Sequence, residues 1–203
     1  MKIALLGAES TGKTALAQAL AAHLQMQREP AVAVNEYLRE WSDAHQRVPQ
    51  AHEQLCIANT QRQRIDAAAL TASCVIADTT PLTIALNSDY FFNDLSLYPA
   101  ALAYQRGFGV TLVMGLAAAC AGCWMLDAEK IPYSMVYGQD NTRLANALAV
   151  IKVSTQNAID SVAASAISTL AAAQKASKLW VWMCDKCSDP DCEHALFTSL
   201  HKN

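Results

Sequence analysis

Positive charge is what this sequence has least to spare: fifteen Lys and Arg stand against eighteen Asp and Glu, a formal net charge of −3. A general nucleic-acid binder needs a basic face to neutralise phosphates, so that class is excluded and a small substrate is expected. Charge of either sign is sparse at 16%, while hydrophobic residues make up 53%, which excludes a disordered chain or an acidic tail protein. Only seven glycines and six prolines are present, and neither a Pro/Gly/Ser linker nor an internal repeat divides the chain. Cysteine is not scarce, but seven is an odd number, unevenly spread. That is no disulfide framework, and a chain of 203 residues buries enough core to need none. A cytoplasmic protein with reduced thiols is expected.

A leader and a membrane span are both absent from this reading. The apolar start Met1–Leu6 is interrupted by Glu9 and Lys13 before a signal core of sufficient length forms. Gly107–Leu126 holds twenty uncharged residues, formally enough to cross a bilayer. Gly107, Gly109, Gly115 and Gly122, with several alanines, leave it little hydrophobic drive. Its first part, Val110–Met114, reads as a buried strand closed by Gly115.

What is there alternates strand with helix from the first residue. Ile3–Leu6 is a short apolar run, and Leu16, Leu20 and Leu24 follow at helical spacing. Ala31–Val34 is a second strand. Pro49–Ala72 reads as a helix with Leu55, Ala58, Ile65 and Ala69 on one face and Gln54, Gln61, Arg62 and Arg64 elsewhere. Cys74–Ala77 is a third strand, after which Thr80 and Pro81 suit the N-cap and first position of a helix. Val110–Met114 and Tyr133–Tyr137 bring the strands to five, and two Ala-rich stretches, Asn141–Ile151 and Thr155–Ala176, close the body. This order predicts an α/β fold with a parallel sheet covered on both faces. The body is expected over residues 1–178, with a Cys-rich extension over 179–203.

The chemistry concentrates in Gly7-Ala8-Glu9-Ser10-Thr11-Gly12-Lys13-Thr14, which matches G-x-x-x-x-G-K-[ST] between a strand and a helix. The glycines let the backbone curl so that its N–H groups face phosphate oxygens at the positive end of a helix dipole. Lys13 is expected at the β- and γ-phosphates of ATP, and the Thr14 hydroxyl on Mg²⁺. Asp78, directly after the third strand, is placed to hold a metal-bound water, or to serve as a turn residue beside Thr79 and Thr80. Glu36, after the second strand, is placed to accept a substrate proton or bind a ribose, or to sit in the first turn of a helix.

Together these stretches resemble the nicotinamide-riboside kinase family, the NadR-type kinase domain among the P-loop ATPases. The resemblance is carried by Gly7–Thr14 (GAESTGKT), Asn35–Glu40 (NEYLRE) and Asp78–Thr83 (DTTPLT), then by Ser88–Phe92, Gln105-Arg106 and Val136-Tyr137-Gly138 with Arg143. It spans roughly residues 1–150. It implies ATP and Mg²⁺, phosphorylation of a riboside hydroxyl in NAD salvage, and an adenine-side loop at Gly138–Arg143. Glu36 and Arg39 fall in its riboside segment; Tyr90, Phe91 and Trp41 are either stacking partners for a flat ring or core residues. The family's lid carries an arginine facing the transferred phosphate. Here no arginine lies between Arg106 and Arg143, and Lys130 is the sole basic residue there. Arg106, or else Lys130, is therefore expected to stand in. The other class this departure leaves open is a catalytically impaired ATP-binding module that regulates a partner.

The tail places Cys184, Cys187, Cys192 and His194 within eleven residues. Thiolates and imidazole suit tetrahedral Zn²⁺, so this is a candidate structural zinc knuckle, or else an ordinary polar extension. Cys56, Cys74, Cys120 and Cys123 read as small core residues.

Overall fold

The computed structural model describes residues 1–114 and 123–177. The chain divides into two units, Met1–Gln156 and Asn157–Asn203. The first carries the sheet and the candidate site.

Five strands form one sheet: β1 (Lys2–Leu6), β2 (Ala31–Val34), β3 (Cys74–Ala77), β4 (Val110–Met114) and β5 (Ser134–Val136). Their order is β2-β3-β1-β4-β5, and every pairing is parallel, for instance Ile3 against Val110 and Lys2 against Val75. The central strands are buried on both faces, which is why they read as unbroken apolar runs and not as alternating ones. Between them run α1 (Lys13–Met26), α2 (Tyr37–His45), α3 (Ala51–Ala69), α4 (Pro81–Phe92), α5 (Tyr98–Gln105), α6 (Cys123–Ala128) and α7 (Asp140–Ser177).

One core layer joins Ile3, Leu5, Ile76 and Leu112 of the sheet to Leu16, Leu20 and Leu24 of α1 and to Ala147 and Ile151 of α7. The other joins Leu6 and Val113 to Ile57 of α3, Leu82 and Ile84 of α4, Leu102 of α5 and Leu126 of α6. The parallel five-stranded sheet flanked by helices is thus the architecture expected. Because the strands are parallel, the loops after β1, β2 and β3 all leave the same edge. β1 is where strand order turns, and ligands of open α/β sheets bind beyond such a point.

Several local expectations are corrected. The buried face of α3 is Gln54, Ile57, Ala58, Gln61 and Ile65, whereas Leu55 is 55% exposed. Thr80 does occupy the N-cap of α4 with Pro81 following. Its hydroxyl does not cap, however, but donates to Gln105 Oε1 at 2.8 Å. The two Ala-rich stretches are one helix, α7, since nothing between them breaks it. Cys56 and Cys74 are free; Cys74 is buried as expected, whereas Cys56 is exposed and not a core residue. Cys123 is disulfide-bonded, against the reduced thiol expected there. Among the described residues no helix is long and apolar enough to cross a membrane, and Val110–Met114 of the uncharged segment is β4. Residues 115–122 of that segment lie outside the described residues.

Candidate functional site

The loop from Gly7 to Gly12 is held by backbone that only glycine adopts readily at two points. Gly7 has φ +146° and Gly12, the N-cap of α1, φ +83°. A Cβ on Gly7 would lie 2.9 Å from Met114 Cβ, and one on Gly12 2.7 Å from Arg143 Nη1. The Met114 contact is close to the β4 backbone and cannot yield, while the Arg143 tip can. Gly7→Ala is therefore expected to cost about 1–3 kcal/mol of stability, and more than Gly12→Ala, as thermal unfolding of the two variants would show.

Inside the loop, Lys13 is buried and turned back, donating to Gly7 O at 3.0 Å and Ala8 O at 2.8 Å. Thr11 Oγ1 donates to Ala8 O at 2.8 Å. From the start of α7, Arg143 donates to Thr11 O at 2.6 Å and to Gly138 O at 2.8 Å, tying the loop after β5 to the loop after β1. Burial lowers the Lys13 pKa, with Glu36 and Asp78 pulling against it. Glu36 and Asp78 set two carboxylates against two cations, Lys13 and Arg39, before any ligand arrives.

Those acids come from the neighbouring strand ends. Thr14 Oγ1 donates to Asp78 Oδ2 at 2.5 Å. Asp78 is 2% exposed, and its Oδ1 has no partner, nor has the adjacent Thr79 Oγ1. Burial pushes the Asp78 carboxyl above its ordinary range, against the Thr14 hydrogen bond and Lys13. A buried carboxylate with an orphaned oxygen next to a threonine hydroxyl is a donor set that fits Mg²⁺, a hard cation that takes oxygen ligands. Glu36 is likewise raised by burial, against the attraction of Arg39 and Lys13. Its Oε2 accepts from Arg39 Nη2 at 2.9 Å.

Gln61 of α3 pins this corner. Its Oε1 accepts from Tyr37 N at 2.8 Å, and its Nε2 donates to Asn35 O at 3.3 Å and Thr79 O at 3.2 Å. The segments bearing Glu36 and Asp78 are thereby fixed to one another through a single fully buried amide.

A cavity of about 890 Å³ opens here. Glu9, Ser10, Gly12, Lys13 and Thr14 line it together with Glu36 and Arg39. Gly7, Ala8 and Thr11 do not line it; the Gly7 and Ala8 carbonyls accept from Lys13, and the Thr11 hydroxyl donates to Ala8 O. Tyr90 does not line it: the ring is 83% exposed and packs edge-on against Phe91 at 5.0 Å. Phe91 and Phe92 line it instead. Trp41 is engaged elsewhere, stacked on His45 at 3.9 Å with Arg47 4.8 Å over its face.

Arg106 is not brought to the loop. It caps α5 just before β4, at the sheet edge opposite the phosphate loop, and donates to Glu129 at 2.5 Å. With Lys130 it lines a separate cavity of about 200 Å³. The cation that does reach the site is Arg39, whose Nη1 lies 3.4 Å from Thr14 Oγ1. Gln54 and Asn87 also line the site, and sequence reading missed both because a polar residue on a helix reads as outward-facing. Among the described residues no group of acids, histidines and cysteines forms a further metal cluster; Cys184, Cys187, Cys192 and His194 lie outside them.

A phosphate loop at the switch point of a parallel sheet, with a buried lysine and a Thr–Asp pair, defines a P-loop protein of the nucleoside- and nucleotide-kinase-like fold. The chain belongs to the AAA domain family, whose model matches residues 2–120. Among solved structures it is similar to a NadR protein in complex with NR, at 16% identity and a TM-score of 0.63 over 76% of this chain. The chain spans about half of that protein, 51%. It is also similar to thymidylate kinase from Ehrlichia chaffeensis, at 17% identity and a TM-score of 0.55, covering 75% of this chain and 97% of that one. No curated protein sequence matches it significantly.

Proposed function

We propose that the chain is a cytoplasmic ATP-dependent kinase that phosphorylates a hydroxyl of a small nucleoside, nicotinamide riboside in NAD salvage. The observation that carries this reading is the convergence of Lys13, Thr14 and Glu36 on one cavity, with the buried Asp78 hydrogen-bonded to Thr14. Its volume, about 890 Å³, falls in the range of small-molecule sites. A NadR protein of similar fold was solved with NR bound, which supports this choice of nucleoside.

Lys13 and the loop amides hold the β- and γ-phosphates. Thr14 and Asp78 would hold Mg²⁺, which neutralises phosphate charge when bound. Glu36 accepts the proton of the attacking hydroxyl; that oxygen bonds to the γ-phosphorus, the bond to the β–γ bridging oxygen breaks, and ADP leaves. Arg39 supplies the cation at the transferred group. Release of Lys13 from the Gly7 and Ala8 carbonyls lets its ammonium swing to the phosphates, at the cost of two hydrogen bonds that the phosphate oxygens replace.

The two arginines make the test. Arg39→Ala should lower kcat by at least about 10²-fold, while Arg106→Ala should leave it within about threefold, since it breaks only an exposed ion pair. The reverse ranking in steady-state kinetics would refute this assignment. A second reading, an ATP-binding module without turnover, is favoured by one observation: the stretch between Arg106 and Arg143 has no arginine. Tight Mg-ATP binding with no phosphorylated product would establish it.

A further inference from the structure

The cavity's lining changes character away from the phosphate loop. Leu38, Val48, Phe91 and Phe92 give it apolar walls there, and its polar groups are uncharged: the Ser42 hydroxyl and two amides, Gln54 and Asn87. Gln54 is 3% exposed, yet its Oε1 has no hydrogen-bond partner. A buried amide oxygen without a partner is costly unless something else supplies one. Its neighbour on the same helix face, Gln61, has every partner an amide can use in that corner. Gln54 is the exception, and it is the one that borders the cavity.

Position supports a ligand role. Gln61 touches the backbone of Thr79, next to Asp78. Gln54 lies seven residues earlier on α3, hence about 10 Å along the helix axis. Phe91 lies ten residues into α4, about 15 Å from the helix start beside Asp78. A nucleoside has the same layout, with a hydroxyl at one end, a sugar between, and a flat ring at the other.

We propose that Gln54 is a specificity-determining residue that pairs with an amide edge, a primary carboxamide or a ring lactam, on the flat ring of the nucleoside. This rests on the reading that the cavity takes a nucleoside. A carboxamide offers one donor and one acceptor, and an amide edge on the ligand matches both at once. The match survives a 180° turn of the Gln54 amide. A ring carboxylate offers two acceptors, so one oxygen must face Gln54 Oε1, and its charge must lose water among apolar walls. The site should therefore take a carboxamide nucleoside and reject the corresponding acid.

Calorimetric titration of nicotinamide riboside and nicotinic acid riboside into the full chain with Mg-ADP tests this without requiring turnover. The wild type should bind the carboxamide at least about tenfold more tightly than the acid. Gln54→Met, which keeps the volume and removes both polar groups, should bring the two within about threefold. Its melting temperature should be unchanged or higher, because a buried amide oxygen without a partner has been removed. Unaltered discrimination in Gln54→Met overturns the proposal, and so does a loss of several degrees in melting temperature, which would make Gln54 structural. Failure of the wild type to bind either riboside also overturns it. Thermal stabilisation by Mg-ATP in the same samples then reports whether the nucleotide half of the site stands alone.

Discussion

A Lys13→Ala protein should fold and yet gain no thermal stability from Mg-ATP. In the wild type, nucleotide at about 100 times its Kd adds ~2.7 kcal/mol, which for a domain of this size raises the melting temperature by roughly 5–10 °C. Lys13 is the buried cation of the loop, and in its absence the phosphates would meet Glu36 and Asp78 with their nearest buried counter-charge gone. The ligand-free fold should survive, since the lysine's partners are two loop carbonyls that solvent can reach once the chain is shortened. Phosphotransfer should fall below detection. Retained stabilisation by Mg-ATP, measured by thermal unfolding with and without nucleotide, would remove the phosphate-loop assignment.

Glu36→Gln is the second large effect. Burial raises the Glu36 pKa, and only the ionised carboxylate can take the hydroxyl proton. The sign follows directly: activity is lost as pH falls through a value above the ordinary carboxylate range and is full above it. The wild-type kcat/KM profile should therefore show an acid limb displaced upward from that range. Glu36→Gln should lose about 10²–10⁴ in rate, and the limb with it. Asp78 is raised by burial too, so the two must be separated by a different readout. Asp78→Asn should increase the Mg²⁺ concentration needed for half-maximal rate more than it weakens nucleotide binding.

The parts of the site that follow from local sequence and parallel topology were legible. Glycine spacing marks the phosphate loop, and residues directly after β1, β2 and β3 must share an edge, so Lys13, Glu36 and Asp78 could be grouped without coordinates. Arg106 shows where that logic fails. It precedes β4 where those residues follow their strands, so the same topology carries it to the far edge and into a pair with Glu129. Arg39 could be assigned to the substrate side, but its reach to Thr14 depends on how α2 is seated. The amides of α3 misled in another way. Periodicity counts apolar residues, whereas Gln61 is buried because it satisfies backbone groups of two loops, and Gln54 because it borders a cavity. Leu55 takes the exposed place those amides were expected to fill. Similarly, Phe91 and Tyr90 are adjacent on α4, and only the helix's rotation decides which faces the site.

The central claim, nucleoside phosphorylation by ATP, is met most directly by incubating the purified chain with Mg-ATP and nicotinamide riboside and quantifying both products by mass spectrometry. The account predicts ADP and the phosphorylated riboside in equal amounts, saturable in riboside and absent with Lys13→Ala. Saturable ATP binding with no phosphorylated product from nicotinamide riboside or any other nucleoside supplied would contradict it.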